Sequence, residues 1–444
     1  MSDVSTHPGS TPVPAGTTVP ASIAPRLEAA LAPVLRGPFP VGLRAWDGSR
    51  TGPAEGPVLV LRSPRALQRL LWSPGELGAA QAYVTGELDI DGDVGEALDA
   101  TRAALLERGV SGLDPRALAR TAPGLLSLAR EVGALGRPLP PPASQARVRG
   151  RLHSLGRDRD AISHHYDLSN AFYELLLDPH LAYSSAWFAA DPATSGQSLE
   201  SAQAAKLDLV CRKVGLREGA RFLDVGCGWG SLSLYAAEHF GAQVTGVTIA
   251  AEQKAFIDAR IHERGLEDRV TIRLQDYRDV PSAGDGPYDA VASIEMGEHV
   301  GEGNYPAYVA VLRECVKPGG YVLVQQMSRR GRHPGGGPFI ESFIAPDMHM
   351  RPVGETVELL ESGGLEVRDV HAMREHYVWT VDAWLDTFEK NWASVVDLVG
   401  EEVARVWRLY LVGGRQAFRD GRMGVDQMLA RRPGGAPVAR EAVR

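Results

Sequence analysis

Cysteine is scarce in this chain, with Cys211, Cys227 and Cys315 the only three among 444 residues. No paired spacing links them, which argues against a disulfide framework or a cysteine-based zinc site and fits free thiols in a reducing cytosol. Long apolar runs are also missing. None approaches the roughly 18 residues of a membrane span, so any contact with a membrane is expected to be peripheral. Positive charge is not in excess: 47 Lys and Arg face 55 Asp and Glu, a formal charge of −8. That balance argues against a general nucleic-acid binder, which would carry a basic footprint. The first 24 residues are rich in Ser, Thr, Pro and Gly and lack the regions of a signal peptide, so they read as a disordered tail. The rest, 44% hydrophobic and 23% charged overall, has the composition of a soluble globular protein. Its length suits two domains.

Residues 25–135 mix short strands ("PVLVLRS") with helices ("SPRALQRLLW", "VGEALDATRAALLERG"), as expected of a smaller α+β domain. "GRPLPPPASQ" (136–145) opens a linker, because proline removes backbone donors and fixes φ. The linker continues to residue 160 through "RVRGRLHSLGRDRD", which carries five arginines. A second domain follows over 161–432, before a short tail over 433–444. Strands expected at 221–226, 243–248, 269–274, 288–294 and 320–327 alternate with helices, which predicts a mostly parallel, doubly wound α/β sheet of Rossmann-like type. The last seventy residues read as helical. Trp384, Phe388 and Trp392, then Trp407, Leu411 and Phe418, recur at one-turn spacing and are assigned to the core. "ELDIDGD" (Glu87 to Asp93) spaces its carboxylates like a calcium loop, but Leu98 stands where a bidentate Glu is required. A solvated turn is the expectation there. His164 and His165 read as structural residues, since no partner stands at metal spacing.

The most informative stretch is "FLDVGCGWGSLSLYAAEHFGAQVTGVT" (222–248): strand, glycine-rich turn, helix, strand. Glycines there let backbone approach a ligand and aim helix N-terminal amides at it. A dinucleotide fingerprint wants an acidic residue at the end of the second strand. That strand ends at Thr248, and no Asp or Glu comes before Glu252. "DVGCGWG" instead matches the D-x-G-x-G-x-G form usual in S-adenosylmethionine (SAM) methyltransferases, through Asp224, Gly226, Gly228 and Gly230.

Further segments carry a more specific likeness: "HHYDLSNAFYELLLDPHLAYSSAWF" (164–188), "SLESAQAAKLDLVCRKVGL" (198–216), "GVTIAAEQ" (246–253), "LQDYRDV" (274–280), "MGEHVG" (296–301) and "HYVWTVDAW" (376–384). In this order, and over roughly 150–430, the chain resembles the cyclopropane-fatty-acid synthase family, which includes the mycolic-acid methyltransferases. "GAAQAYVTGELDIDGD" (78–93) resembles the family's smaller N-terminal domain. The resemblance implies transfer of the SAM methyl to a cis double bond of an acyl chain, commonly on an intact phospholipid. It places Gly226, Gly228 and Gly230 along the methionine and ribose side of SAM and closes Tyr183 and Ser184 over the methionyl end. Thr248 and Gln253 take the ribose, and Gln275 and Asp276 sit near the adenine.

Attack of an alkene on a sulfonium methyl leaves a carbocation in the acyl chain, so the site has to be dry. Aromatic faces stabilise such a cation without reacting; Tyr183, Trp187 and Tyr377 are candidates. A base then removes a proton from the added methyl. By resemblance this base is a bound bicarbonate, held by a glutamate, a histidine, a tyrosine and backbone amides near a cysteine. Glu298 and Tyr377 stand at the glutamate and tyrosine positions. Ser185 replaces the cysteine and Gln325 the histidine, so bicarbonate either stays, binds more weakly or gives way to a side-chain carboxylate. Glu295 is one possible substitute.

The expected function is therefore formation of cyclopropane fatty acids on unsaturated phospholipid acyl chains, at the inner face of the membrane, by a cytoplasmic, peripherally bound enzyme. A homodimer is a possible assembly. The alternatives are a methylene- or methyl-branched product from the same first step, C-methylation of a small natural product, or a lipid binder with a vestigial SAM site. The arginine-rich linker would serve phospholipid head groups or be plain solvated chain. "PFIESFIAPDMHM" (338–350) reads either as a wall for the acyl chain, through Met348 and Met350, or as ordinary core.

Overall fold

The structure is a computed structural model describing residues 22–110, 112, 114–146, 169–284, 286–331 and 335–435. The arginine-rich stretch 147–160, His164 and His165 lie outside the described residues. The chain forms two compact units. One runs to Ser73 and resumes over Gly86–Leu139; the other takes Pro74–Thr85 and everything from Pro140.

In the first unit, β1 (Gly42–Arg44), β2 (Arg50–Thr51), β3 (Val58–Leu61) and β4 (Leu88–Asp91) form a sheet in the order β2-β1-β3-β4. Helices Ile23–Leu35 and Pro115–Glu131 pack on each other. The acidic run beside β4 is committed to structure. Glu87 pairs with Arg65 at 2.9 Å and with Arg69, and Asp89 pairs with Arg62 at 2.5 Å. Asp91 pairs with Arg44, and Asp93 accepts from the Glu96 amide at 2.7 Å as the N-cap of helix Val94–Glu107.

The second unit is built on a seven-stranded sheet. Its strands are β5 (Arg221–Val225), β6 (Gln243–Thr248), β7 (Val270–Leu274), β8 (Tyr288–Ile294), β9 (Val316–Arg329), β10 (Glu366–Ala372) and β11 (Met423–Arg431). The order is β10-β11-β9-β8-β5-β6-β7. Strands β5 to β9 run parallel, while β11 is antiparallel to both β9 and β10. Because side chains alternate across a strand, Phe222, Ala290 and Ala292 join one core with Leu207, Val210 and Leu232. Leu223, Val225 and Val291 join the opposite core with Tyr308, Leu312 and Leu360. Both faces are covered, as a parallel sheet requires.

The C-terminal region corrects the all-helical expectation. Helices Arg374–Lys390, Trp392–Val399 and Glu401–Arg419 are followed by strand β11, inserted between β9 and β10. Val425 to Ala430 are buried without a break, so the strand shows no alternation, and Asp426 and Gln427 interrupt its apolar run. Asp426 accepts from Ser328 Oγ at 2.6 Å and Gln427 Nε2 donates to Gln325 Oε1 at 3.0 Å, while Gln427 Oε1 has no hydrogen-bond partner among the described residues. Trp384, Phe388, Trp407, Leu411 and Phe418 share one aromatic core with Trp392 packed against it. Phe339, Phe343, Met348 and Met350 form core with Ala80 and Val84 of helix Glu76–Val84, which belongs to this unit.

Candidate active site

The sheet sets the site at the C-terminal ends of its parallel strands, the usual ligand position in open α/β folds. After β5 the chain turns through Gly226, Gly228 and Gly230 at φ of 77°, 54° and 81°, a region L side chains rarely enter. A Cβ on Gly226 would meet Met296 Cγ at 2.8 Å, whereas one on Gly228 would meet nothing within 4 Å. Gly228 therefore leaves its face open to the pocket it lines. Asp224 is buried and accepts from Ser233 Oγ at 2.7 Å, and burial pushes its carboxyl up to about 6. Thr248 Oγ1 donates to Gln253 Oε1 at 2.8 Å and accepts from the Ala250 amide at 3.1 Å. The Gln275 amide donates to the Thr248 carbonyl at 2.9 Å. Asp276 is held below the usual carboxylate range by Arg278, with Nε at 2.8 Å from Oδ1. The pocket lining includes Asp224, the three residues Gly226–Gly228, Thr248, Gln253, Gln275 and Asp276. Gly230 caps the helix behind it, with Ile257 packed where its Cβ would be.

A tight loop forms the facing wall. Asp178 accepts from the amides of His180 at 3.0 Å and Ala182 at 3.1 Å, folding the chain back on itself. Gln203 Nε2 then donates to the carbonyls of Ala182 at 3.1 Å and Ser184 at 2.8 Å. Lys206 Nζ donates to Ser184 Oγ at 2.8 Å. Tyr183 lines the pocket with Ser184, and its ring lies 5.5 Å from Trp384 and 6.1 Å from Trp407. Trp187 instead stacks on His376 at 6.1 Å and is not part of that lining.

The centre of the site is Glu295, directly after β8 and beside β9. Its Oε1 accepts from the Ser185 backbone N–H and from Gln325 Nε2, each at 2.8 Å. Its Oε2 accepts from the Tyr377 hydroxyl at 2.7 Å. The Gln325 amide is oriented by Gln427, which occupies its other end. Ser185 contributes its backbone, while its hydroxyl donates to the Ala186 carbonyl at 3.1 Å. Glu295 is half-buried and lines the same pocket as the glycine turn. Burial raises its carboxyl above the ordinary range, against the pull of Ser185, Tyr377, Gln325 and the Lys206 charge.

Glu298 sits one step away in another environment. Its Oε1 accepts from the Met327 amide at 2.6 Å, and its Oε2 has no hydrogen-bond partner among the described residues. Burial, then the Glu295 charge, pushes its carboxyl up to about 8. Two neighbouring carboxyls whose surroundings differ in this way divide into an ionised acceptor and a neutral acid. The sequence reading named Ser185, Glu298, Gln325 and Tyr377; the structure joins three of them through Glu295 and leaves Glu298 outside that cluster. It also adds Lys206, fully buried and lowered to about 8 by burial, with Glu295, Asp178 and Asp224 opposing the shift. Ala202, Gln203, Lys206, Leu207 and Val210 form one buried helical stripe. A lysine at helical spacing among apolar residues was the available signal.

A mostly parallel seven-stranded sheet of this order, with a glycine turn after its central strand and a pocket at the strand ends, is the fold of a class I SAM-dependent methyltransferase. The family model for mycolic acid cyclopropane synthetase matches residues 153–428, and the chain belongs to that family of SAM-dependent lipid methyltransferases and cyclopropane synthases. It is 36% identical over 415 residues to a probable fatty acid methyltransferase of Mycobacterium tuberculosis, covering 89% of this chain and 91% of that protein. It is 32% identical over 410 residues to a tuberculostearic acid methyltransferase of the same organism, covering 89% and 88%. Among solved structures, mycolic acid cyclopropane synthase CmaA1, complexed with S-adenosylhomocysteine and CTAB, superposes with a TM-score of 0.56 at 28% identity. That match covers 62% of this chain and 98% of CmaA1.

Proposed function

We propose that the protein transfers the methyl group of SAM to a carbon of a cis double bond in an unsaturated acyl chain, closing a cyclopropane ring on a phospholipid. The observation that carries this reading is a half-buried carboxylate, Glu295, held by three donors on the wall of the glycine-turn pocket. The pocket suits SAM: Gly228 leaves backbone open, and Gln275, Asp276, Thr248 and Gln253 present polar groups along one side. SAM, the co-substrate, supplies an electrophilic methyl on a sulfonium. The protein's own contribution is to exclude water and to present aromatic faces to the cation left in the chain. Tyr183 and Tyr377 belong to the aromatic core beside the pocket. Trp187 contributes to packing around His376 rather than to the pocket wall.

A methylene- or methyl-branched product is the second reading, favoured by relatives that match over nearly their whole length and are named for methyl transfer to fatty acids rather than for ring closure. The ring and the methylene branch both lose a proton from the transferred methyl and differ in whether a hydride migrates along the chain first. A saturated methyl branch would form from the methylene only on later reduction by a separate hydride donor. On this reading the acyl chain is presented by membrane lipid; no helix among the described residues is long and apolar enough to cross a bilayer. Purified protein with SAM and vesicles of dioleoyl phosphatidylglycerol, followed by gas chromatography–mass spectrometry of the fatty acids, tests the proposal. A saturated ring product supports the first reading and a methylene branch the second; unmodified oleate contradicts both.

A further inference from the structure

The three donors that the family resemblance assigns to a bicarbonate are all engaged by Glu295. The Ser185 N–H, the Gln325 side-chain amide and the Tyr377 hydroxyl donate to its two carboxylate oxygens at 2.8, 2.8 and 2.7 Å. A bicarbonate in that place would need these bonds released and would set a second negative charge directly against a carboxylate, which like-charge repulsion opposes. The residues present do not fit the ion. We propose that Glu295 is itself the proton acceptor of the reaction, a built-in carboxylate in place of a dissociable anion.

This inference rests on the methyl-transfer reading and follows from geometry at each position. Glu295 holds φ at 49°, a conformation that costs a non-glycine residue energy and that persists where surroundings enforce it, often at functional sites. The strain turns its side chain into the donor cluster and onto the wall of the SAM pocket. Gln325 is the right partner for a fixed carboxylate, because it donates without adding a charge. The groups facing Glu295 include Lys206 from helix Leu199–Lys213, Tyr377 from helix Arg374–Lys390, Tyr410 from helix Glu401–Arg419, Gln325 from β9 and Glu298 in the following turn. Lys206 favours the ionised carboxylate, and burial makes that carboxylate a stronger base than an exposed one.

In the reaction the π pair of the acyl chain bonds the methyl carbon, whose bond to sulfur breaks with its electrons left on sulfur. One alkene carbon becomes cationic. A Glu295 oxygen takes a proton from the added methyl, and the freed C–H pair closes the ring onto the cation. If a hydride shifts first, the same pair forms an exocyclic double bond. The proton passes from the carboxyl to water between turnovers.

Bicarbonate binding and turnover test the proposal together. Positive φ makes Glu295→Gly compatible with the backbone, and the variant vacates the three donors; Glu295→Gln keeps the shape and removes the base. S-adenosylhomocysteine affinity checks that both are folded. Titration with ¹³C-bicarbonate, read by NMR line broadening, should show no binding to the native protein and binding to Glu295→Gly. On dioleoyl phosphatidylglycerol vesicles in bicarbonate-free buffer, native turnover should be unchanged and Glu295→Gln should be slowed by ~100-fold or more, the usual worth of a general base. Added bicarbonate should restore turnover to Glu295→Gly. Bicarbonate bound by the native protein, a native rate that collapses on its removal, or near-native turnover by Glu295→Gln would each overturn the proposal. The NMR titrations need no acyl substrate, so failure of the methyl-transfer reading shows separately, as absence of methylated lipid with the native enzyme.

Discussion

The Tyr377 hydroxyl donates to Glu295 Oε2 at 2.7 Å, joining the first turn of a late helix to the end of a central strand 82 residues earlier in the chain. Tyr377 is itself fixed by packing, with its ring 4.4 Å from that of Phe418. The bond is made to the ionised carboxylate and therefore favours it.

Removing that donor raises the Glu295 pKa further above its ordinary range. For Tyr377→Phe the acid limb of the pH–rate profile should move to higher pH, because less of the carboxylate is ionised at any given pH. A hydrogen bond to a charged group contributes about 1.5–3 kcal/mol, so the limb should move by roughly one pH unit or more. Affinity for S-adenosylhomocysteine should hold. An acid limb that stays where the native enzyme has it would count against Glu295 as the titrating base.

Gly228→Val should abolish binding of SAM and S-adenosylhomocysteine in calorimetry. The side chain would project into the open side of the turn, and the residue's φ of 54° strains any β-branched replacement. Native-like affinity in this variant would show that the co-substrate lies elsewhere.

Glu298 carries a stability prediction with a definite sign. Its folded-state pKa is raised to about 8 from an ordinary 4.5, so the folded protein keeps a proton that the unfolded chain has lost. Its contribution is fully present below about 4.5 and is lost as pH rises through about 8. In Glu298→Gln that dependence is gone. Urea unfolding should show the native protein losing on the order of 3 kcal/mol against the variant between pH 5 and pH 8, from the pKa difference. A constant gap would mean that Glu298 is ionised in the folded state. On the same account Glu298→Gln should retain far more turnover than Glu295→Gln.

Lys206 is a positive charge that opposes the burial shift of Glu295, and it acts on Asp178 and Asp224 as well. Lys206→Met should lower stability by about 3 kcal/mol, since removing one member of a buried charge group leaves the rest uncompensated. A melting temperature equal to native would place those carboxyls in their neutral forms.

Much of the sheet was legible because β5, β6 and β8 are apolar runs ended by glycine, polar or charged residues, and the glycine turn marked the pocket. β11 was not, since Asp426 and Gln427 break its pattern and only their partners, Ser328 and Gln325, explain their burial. At the site, sequence located Ser185, Gln325 and Tyr377 and named Glu295 as one possible replacement for an anion. It could not show that all three donors meet on that side chain, because they come from a loop, a strand and a helix far apart in the chain. Ser185 illustrates the limit: its residue type drew attention, yet its backbone N–H makes the contact.

The most direct test of the account uses SAM carrying a fully deuterated methyl group, with dioleoyl phosphatidylglycerol vesicles and mass spectrometry of the released fatty acids. Transfer to the double bond followed by proton loss from that methyl predicts a product that keeps two of the three deuterium atoms. For Glu295→Gln the same species should appear at no more than ~1% of the native rate. Acyl chains that gain no label, or that retain all three deuterium atoms, would contradict the account.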